Sequence, residues 1–205
     1  MKSLTCFLII LCTTTSFSQT TDWVSLPEEV NDFVFTMCEY DNKLIAGGWF
    51  TEAGGTPVNR IASWDGTTWS PLGNGVTLSG NIAIVREMIV FQNDLYVAGV
   101  FDTAGGIPAH SIAKWDGSSW SSVGLGPNGF ALINAMEIFE NELYVAGTFD
   151  SINGIPAHRI AKYDGTNWSN VSTGIHGNNV NDLHVFQSDL YAVGVFDSAG
   201  YVHSN

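Results

Sequence analysis

Two histidines raise the first chemical question. His110 and His158 both follow Pro-Ala at matching places in two copies of one motif. A ring of imidazoles on neighbouring units could hold a metal. The other copies carry Asn59 and Asn205 there. His and Asn share a plainer task, hydrogen bonding to backbone beside a turn, so these are read as polar loop-end residues, with no metal and no cofactor expected. His184 is a second candidate. It aligns with Cys38, Ile89 and Glu137, so three possible ligands would surround one axis with an isoleucine breaking the set. The adjacent register, Thr36, Glu87, Ala135 and Asp182, is more polar and is the alternative channel lining. Asp102, Asp150 and Asp197 recur, with Thr51 as the exception. They could ligate calcium weakly, but capping a loop through Asx-type hydrogen bonds is the expectation. Trp49 does not recur: Val100, Thr148 and Val195 replace it. Scaffold aromatics repeat, so a lone one is better placed to stack on a ligand ring. Trp49, Asp102, His110, Asp150, His158 and Asp197 form the expected ligand-facing set, and no residue is assigned a catalytic role. The sequence holds no G-x-S-x-G elbow, phosphate-cradling loop or H-E-x-x-H.

The elements that position these residues follow from a repeat. LYVAGVFDTAGGIPAHSIAKWDGSSW, Leu95 to Trp120, recurs from Leu44 to Trp69 and from Leu143 to Trp168, and again in shortened form from Leu190. Phe50, Phe101, Phe149 and Phe196 mark the period, with spacings of 51, 48 and 47. A period of that length, built from short apolar runs and turn residues, predicts propeller blades of about four strands. The polar turn Glu140-Asn141-Glu142 between apolar runs predicts a hairpin. Asp65-Gly66, Asp116-Gly117 and Asp164-Gly165 predict type I′ turns, and the Thr51–Val58 segment and its copies predict loops presented on one face. The recurring tryptophans are expected in packing.

The fold class expected is therefore all-β, a partial β-propeller of four-stranded antiparallel blades. Blades fall at about 31–73, 82–124 and 131–174, with a partial one at 180–205, and 22–26 are expected as a lone outer strand. The fourth copy stops at Asn205, where the earlier copies enter the Ile-Ala-x-aromatic-Asp-Gly strand. The expectation is a piece of a larger propeller.

Residues 1–19 read as a secretory signal peptide, with Lys2, the apolar run Phe7 to Leu11 and Ser16-Phe17-Ser18 at the cleavage site. The expected location is secreted or cell surface. Its removal leaves Cys38 as the one cysteine, so no internal disulfide is expected. Without Lys2, six basic residues stand against 20 acidic ones, a net charge of −14. That balance argues against nucleic-acid binding, and the apolar core is too short for membrane insertion.

The pattern L-Y-V-A-G-x-F-x-x-A-G-G, followed by I-A-x-W-D-G-x-x-W, resembles the kelch-related propeller repeats of exported bacterial proteins. It is also similar to repeats of cortical polarity proteins and to galactose-oxidase-type propellers. The double glycine of kelch blades survives only in Gly47-Gly48. The resemblance implies a non-enzymatic module that binds protein or glycan through inter-strand loops. It also raises the alternative of a secreted carbohydrate-active or oxidoreductase propeller whose catalytic residues lie outside this chain. No copper-radical set of Tyr, His and Cys is readable. Ser63 to Trp69 approaches the Asp box of sialidases, itself a hairpin-stabilising device, with one residue missing between Asp and Gly.

Overall fold

The computed structural model describes residues 9–11, 23–25, 29–128 and 131–203; the expected signal peptide lies outside these residues apart from the backbone of 9–11. Three blades share one plan, four antiparallel strands in consecutive order. Blade 1 comprises Val34–Tyr40, Lys43–Gly48, Ile61–Trp64 and Trp69–Pro71. Blade 2 comprises Ile84–Phe91, Asp94–Val100, Ile112–Trp115 and Trp120–Ser122. Blade 3 comprises Ile133–Phe139, Glu142–Gly147, Ile160–Tyr163 and Trp168–Asn170. A fourth sheet has three strands, Ile175–Phe186, Asp189–Ala199 and Val202–His203. The chain is an all-β partial propeller. Among the described residues no helix is long and apolar enough to cross a membrane.

The cores lie between the blades. Strands alternate their side chains, so each sheet has a leading and a trailing face. Ile45 and Ile61 of blade 1 cluster with Val85, Met88, Leu95 and Val97 of blade 2. Phe91, Tyr96 and Ile112 of blade 2 meet Met136, Leu143 and Val145 of blade 3. Ala135, Tyr144 and Ile160 of blade 3 meet Val180 and Leu183 of the fourth sheet. The first junction is tight: a Cβ on Gly47 would lie 2.4 Å from Val85 Cγ1. Two indoles staple successive blades, Trp120 Nε1 donating to Leu72 O at 2.9 Å and Trp168 Nε1 to Val123 O at 2.8 Å.

The turns reverse the expected assignment. Both central residues are left-handed in the first hairpins, at Asp41-Asn42, Gln92-Asn93 and Glu140-Asn141, as a type I′ turn requires. At the Asp-Gly sites only the glycine is left-handed, with φ of 99° at Gly66. Trp64 pairs with Trp69, so Asp65 opens a four-residue loop instead. Its Oδ1 accepts from the Thr67 and Thr68 amides, each at 2.8 Å. The carboxylate, rather than a pair of left-handed residues, closes the turn.

Three further expectations are corrected. The 51–58 segment and its copies are ordered hairpins, Glu52–Ala53 with Thr56–Pro57, Thr103–Ala104 with Ile107–Pro108, and Ser151–Ile152 with Ile155–Pro156. Each is widened by the link before its blade, through Val30, Val76–Thr77 and Pro127. In the fourth unit the link and the inner strand merge, so strand begins at Ile175 rather than near 180, with Ile175 and Val180 buried in the junction. Trp23–Ser25, expected as an outer blade strand, pairs with Ile9–Leu11 in a separate two-stranded sheet and with no blade. That apolar run of β-formers offers it an edge.

Candidate functional site

Each blade presents the same backbone corner where its loop hairpin returns to the third strand. Arg60, Ser111 and Arg159 occupy that corner, with left-handed φ of 68°, 69° and 73°. Their amides donate to Phe50, Phe101 and Phe149 carbonyls at 3.2, 2.9 and 2.7 Å. Their carbonyls accept from Gly48, Gly99 and Gly147 at 2.9, 3.1 and 3.0 Å. The three corners are one structure with different side chains.

In blade 3 the corner is filled. Arg159 Nη1 donates to Thr148 O at 3.0 Å and pairs with Asp150 Oδ1 at 2.5 Å, while its Nε donates to Gly177 O. In blade 1 Arg60 Nη1 donates to the Trp49 and Phe50 carbonyls at 3.4 and 3.3 Å. In blade 2 the short Ser111 leaves a cavity of about 500 Å³, lined by Leu78, Val100, Phe101, Asp102, His110 and Pro127 among others. Asp102 Oδ2 accepts from the Ser79 amide at 2.9 Å. Its Oδ1 is shielded from solvent and has no hydrogen-bond partner. The Ser79 hydroxyl and amide, then its own amide and last His110, hold the Asp102 carboxyl below its ordinary range against the opposing effect of burial. It is therefore a carboxylate at neutral pH.

His110 has φ of 42°, an uncommon conformation for this residue, next to left-handed Ser111. The opposing link must approach closely: a Cβ on Gly126 would fall 2.1 Å from His110 O. His158 repeats the His110 conformation with φ of 47°, so the conformation belongs to the corner that the blades share.

The six residues singled out in the sequence separate. Asp102 and His110 share the cavity, and Val100, the counterpart of Trp49, lines it. Asp150 is taken by Arg159. His158 lies against His176, with ring centroids 5.1 Å apart and planes tilted by 37°, rather than against His110. Trp49 is half-buried at the edge of blade 1, its amide bonded to Phe33 O. Asp197 lies within the strand Asp189–Ala199 rather than in a loop.

The axial residues also depart from both expected registers. Every inner strand slips register at one shared place, between Val34 and Thr36, Val85 and Glu87, Ile133 and Ala135, and Val180 and Asp182, and the fourth slips twice more near its start. The residues bulged out, Phe35, Arg86, Asn134 and Asn181, together line a cavity of about 280 Å³. Bulges re-aim side chains, and the repeated slip is the signal that a strict alternation hides. His184 Nδ1 lies 3.7 Å from Glu137 Oε2. Burial, then the nearby Asp182 and Glu137 charges, raise the Glu87 pKa, opposed by the Met88 amide. Burial and Glu87 push the Cys38 thiol up to about 11. Among the described residues no three His, Cys, Asp or Glu side chains gather as a metal site.

A family described as a domain of unknown function (DUF5122) beta-propeller matches residues 41–62, the first hairpin turn through the start of the third strand of blade 1. No curated protein matches the chain. The chain is similar to that β-propeller family over this segment, in agreement with its all-β, bladed architecture.

Proposed function

We propose that this protein is an exported, non-enzymatic binding module, secreted or held at the cell surface, that recognises a protein or glycan through its loop-hairpin face. One observation carries the reading. The Asp102–His110 cavity combines a shielded carboxylate oxygen without a partner, a histidine and apolar walls. Concave apolar sites with a few convergent polar groups are the usual form of a recognition site. The resemblance to kelch-like repeats points the same way. Loops on a rigid repeated scaffold are where binding residues collect.

The test is a glycan array and a panel of extracellular proteins, probed with the native chain and with an Asp102→Asn, His110→Ala variant. Binding that disappears in the variant and survives in Asp197→Ala supports the reading. A native chain that binds nothing on either panel contradicts it.

A further inference from the structure

We propose that the blade-2 cavity receives the guanidinium of an arginine side chain from a partner protein, in the place that Arg60 and Arg159 fill in the flanking blades. This rests on the loop-face reading and narrows it to one chemistry.

The argument is internal to the molecule. The three corners share their backbone hydrogen bonds and their left-handed φ, so a side chain leaves each in the same direction. In blades 1 and 3 that side chain is arginine, bonded to the carbonyl of the residue before the marker phenylalanine, Trp49 or Thr148. In blade 3 it also pairs with Asp150, the residue after the phenylalanine. Blade 2 keeps the matching carboxylate, Asp102, and replaces the arginine with Ser111, while its second strand runs one residue further and pairs Val100 with Ile84. Asp150 Oδ1 accepts from Arg159, whereas Asp102 Oδ1 has no partner. The donor is missing and the acceptor remains.

The cavity chemistry selects guanidinium. A carboxylate suits its planar fork, while an ammonium is a compact, strongly hydrated point charge. Leu78, Val100, Phe101 and Pro127 supply apolar walls for the methylene stem. The net charge of −13 over the whole sequence draws a basic segment toward the surface.

The test titrates the purified chain, at low salt, with three blocked peptides differing only in a central arginine, lysine or citrulline. Citrulline keeps the shape and loses the charge. The expected result is arginine binding at least about tenfold tighter than citrulline, a difference of about 1.4 kcal/mol. Ser111→Arg, which refills the corner from within, and Asp102→Asn should each abolish that preference. No arginine binding at millimolar concentration, equal binding of citrulline, or arginine binding that survives Ser111→Arg overturns the inference. None of these results touches the loop-face reading. That reading falls separately, if array ligands still bind the Asp102→Asn, His110→Ala chain.

Discussion

Asp65, Asp116 and Asp164 show how a residue that attracts functional attention is used by the scaffold. The Thr68 amide first, then the Thr67 hydroxyl and amide, hold the Asp65 carboxyl far below its usual range. The Ser119 amide and the Ser118 hydroxyl do the same for Asp116, and the Asn167 and Thr166 amides lower the Asp164 carboxyl. A depressed carboxyl stabilises the fold above its unfolded value of about 3.9, and that stability is lost as pH falls through the folded value. Thermal unfolding of Asp116→Ala should therefore start lower than the native chain at pH 7, with the gap closing as pH drops well below 4. A gap that persists in strong acid would show that the carboxylate is not the cause. Cys38 runs in the opposite sense. Its neutral form is favoured in the fold, so its contribution is intact below about pH 8.5 and is lost as pH rises through about 11. A thiol reagent at pH 8 should modify Cys38 slowly in the native chain and rapidly in denaturant. Equal rates would mean that the thiol is not sequestered.

At the scale of elements, the junction between blades is the unit of stability. Met37, Met88, Met136 and Leu183 hold one register position on the trailing faces. The last three are 4%, 6% and 4% exposed, whereas Met37 is 49% exposed. Met88→Ala should cost about 2–5 kcal/mol in denaturant unfolding, and Met37→Ala under about 1 kcal/mol. Similar losses at both would contradict a core that lies between sheets. Much of this was legible in advance. The phenylalanine spacing located all three blades and the partial fourth, because a period of apolar runs survives any local irregularity. The Asp-Gly dipeptide signals a turn without saying whether glycine's freedom or aspartate's carboxylate closes it. The two-residue strands of the loop hairpins are too short to show alternation. The cavity was half legible. Asp102 and His110 stand out in the sequence as repeating polar residues, but the decisive change is Ser111 between Arg60 and Arg159, a loss of side chain rather than a reactive group.

At the scale of the molecule, apolar side chains are exposed at both ends of the row of described blades. Phe33, Phe35 and Met37 are exposed on blade 1, and Phe186, Tyr191 and Val193 on the fourth sheet. Tyr191 is 51% exposed, while its counterparts Tyr96 and Tyr144 are 1% and 7% exposed. The same repetition makes the loop face readable, since each corner is a control for the next. Two corners are closed by the chain's own arginine and one is open. The unfolding midpoint of Ser111→Arg, compared with the native chain, tests that equivalence without any ligand. If the blade-2 corner is the vacated site, the new guanidinium finds Asp102 and the midpoint stays level or rises. A midpoint lowered by several degrees would mean that the corner does not accept arginine, and that the cavity is not the place its neighbours define.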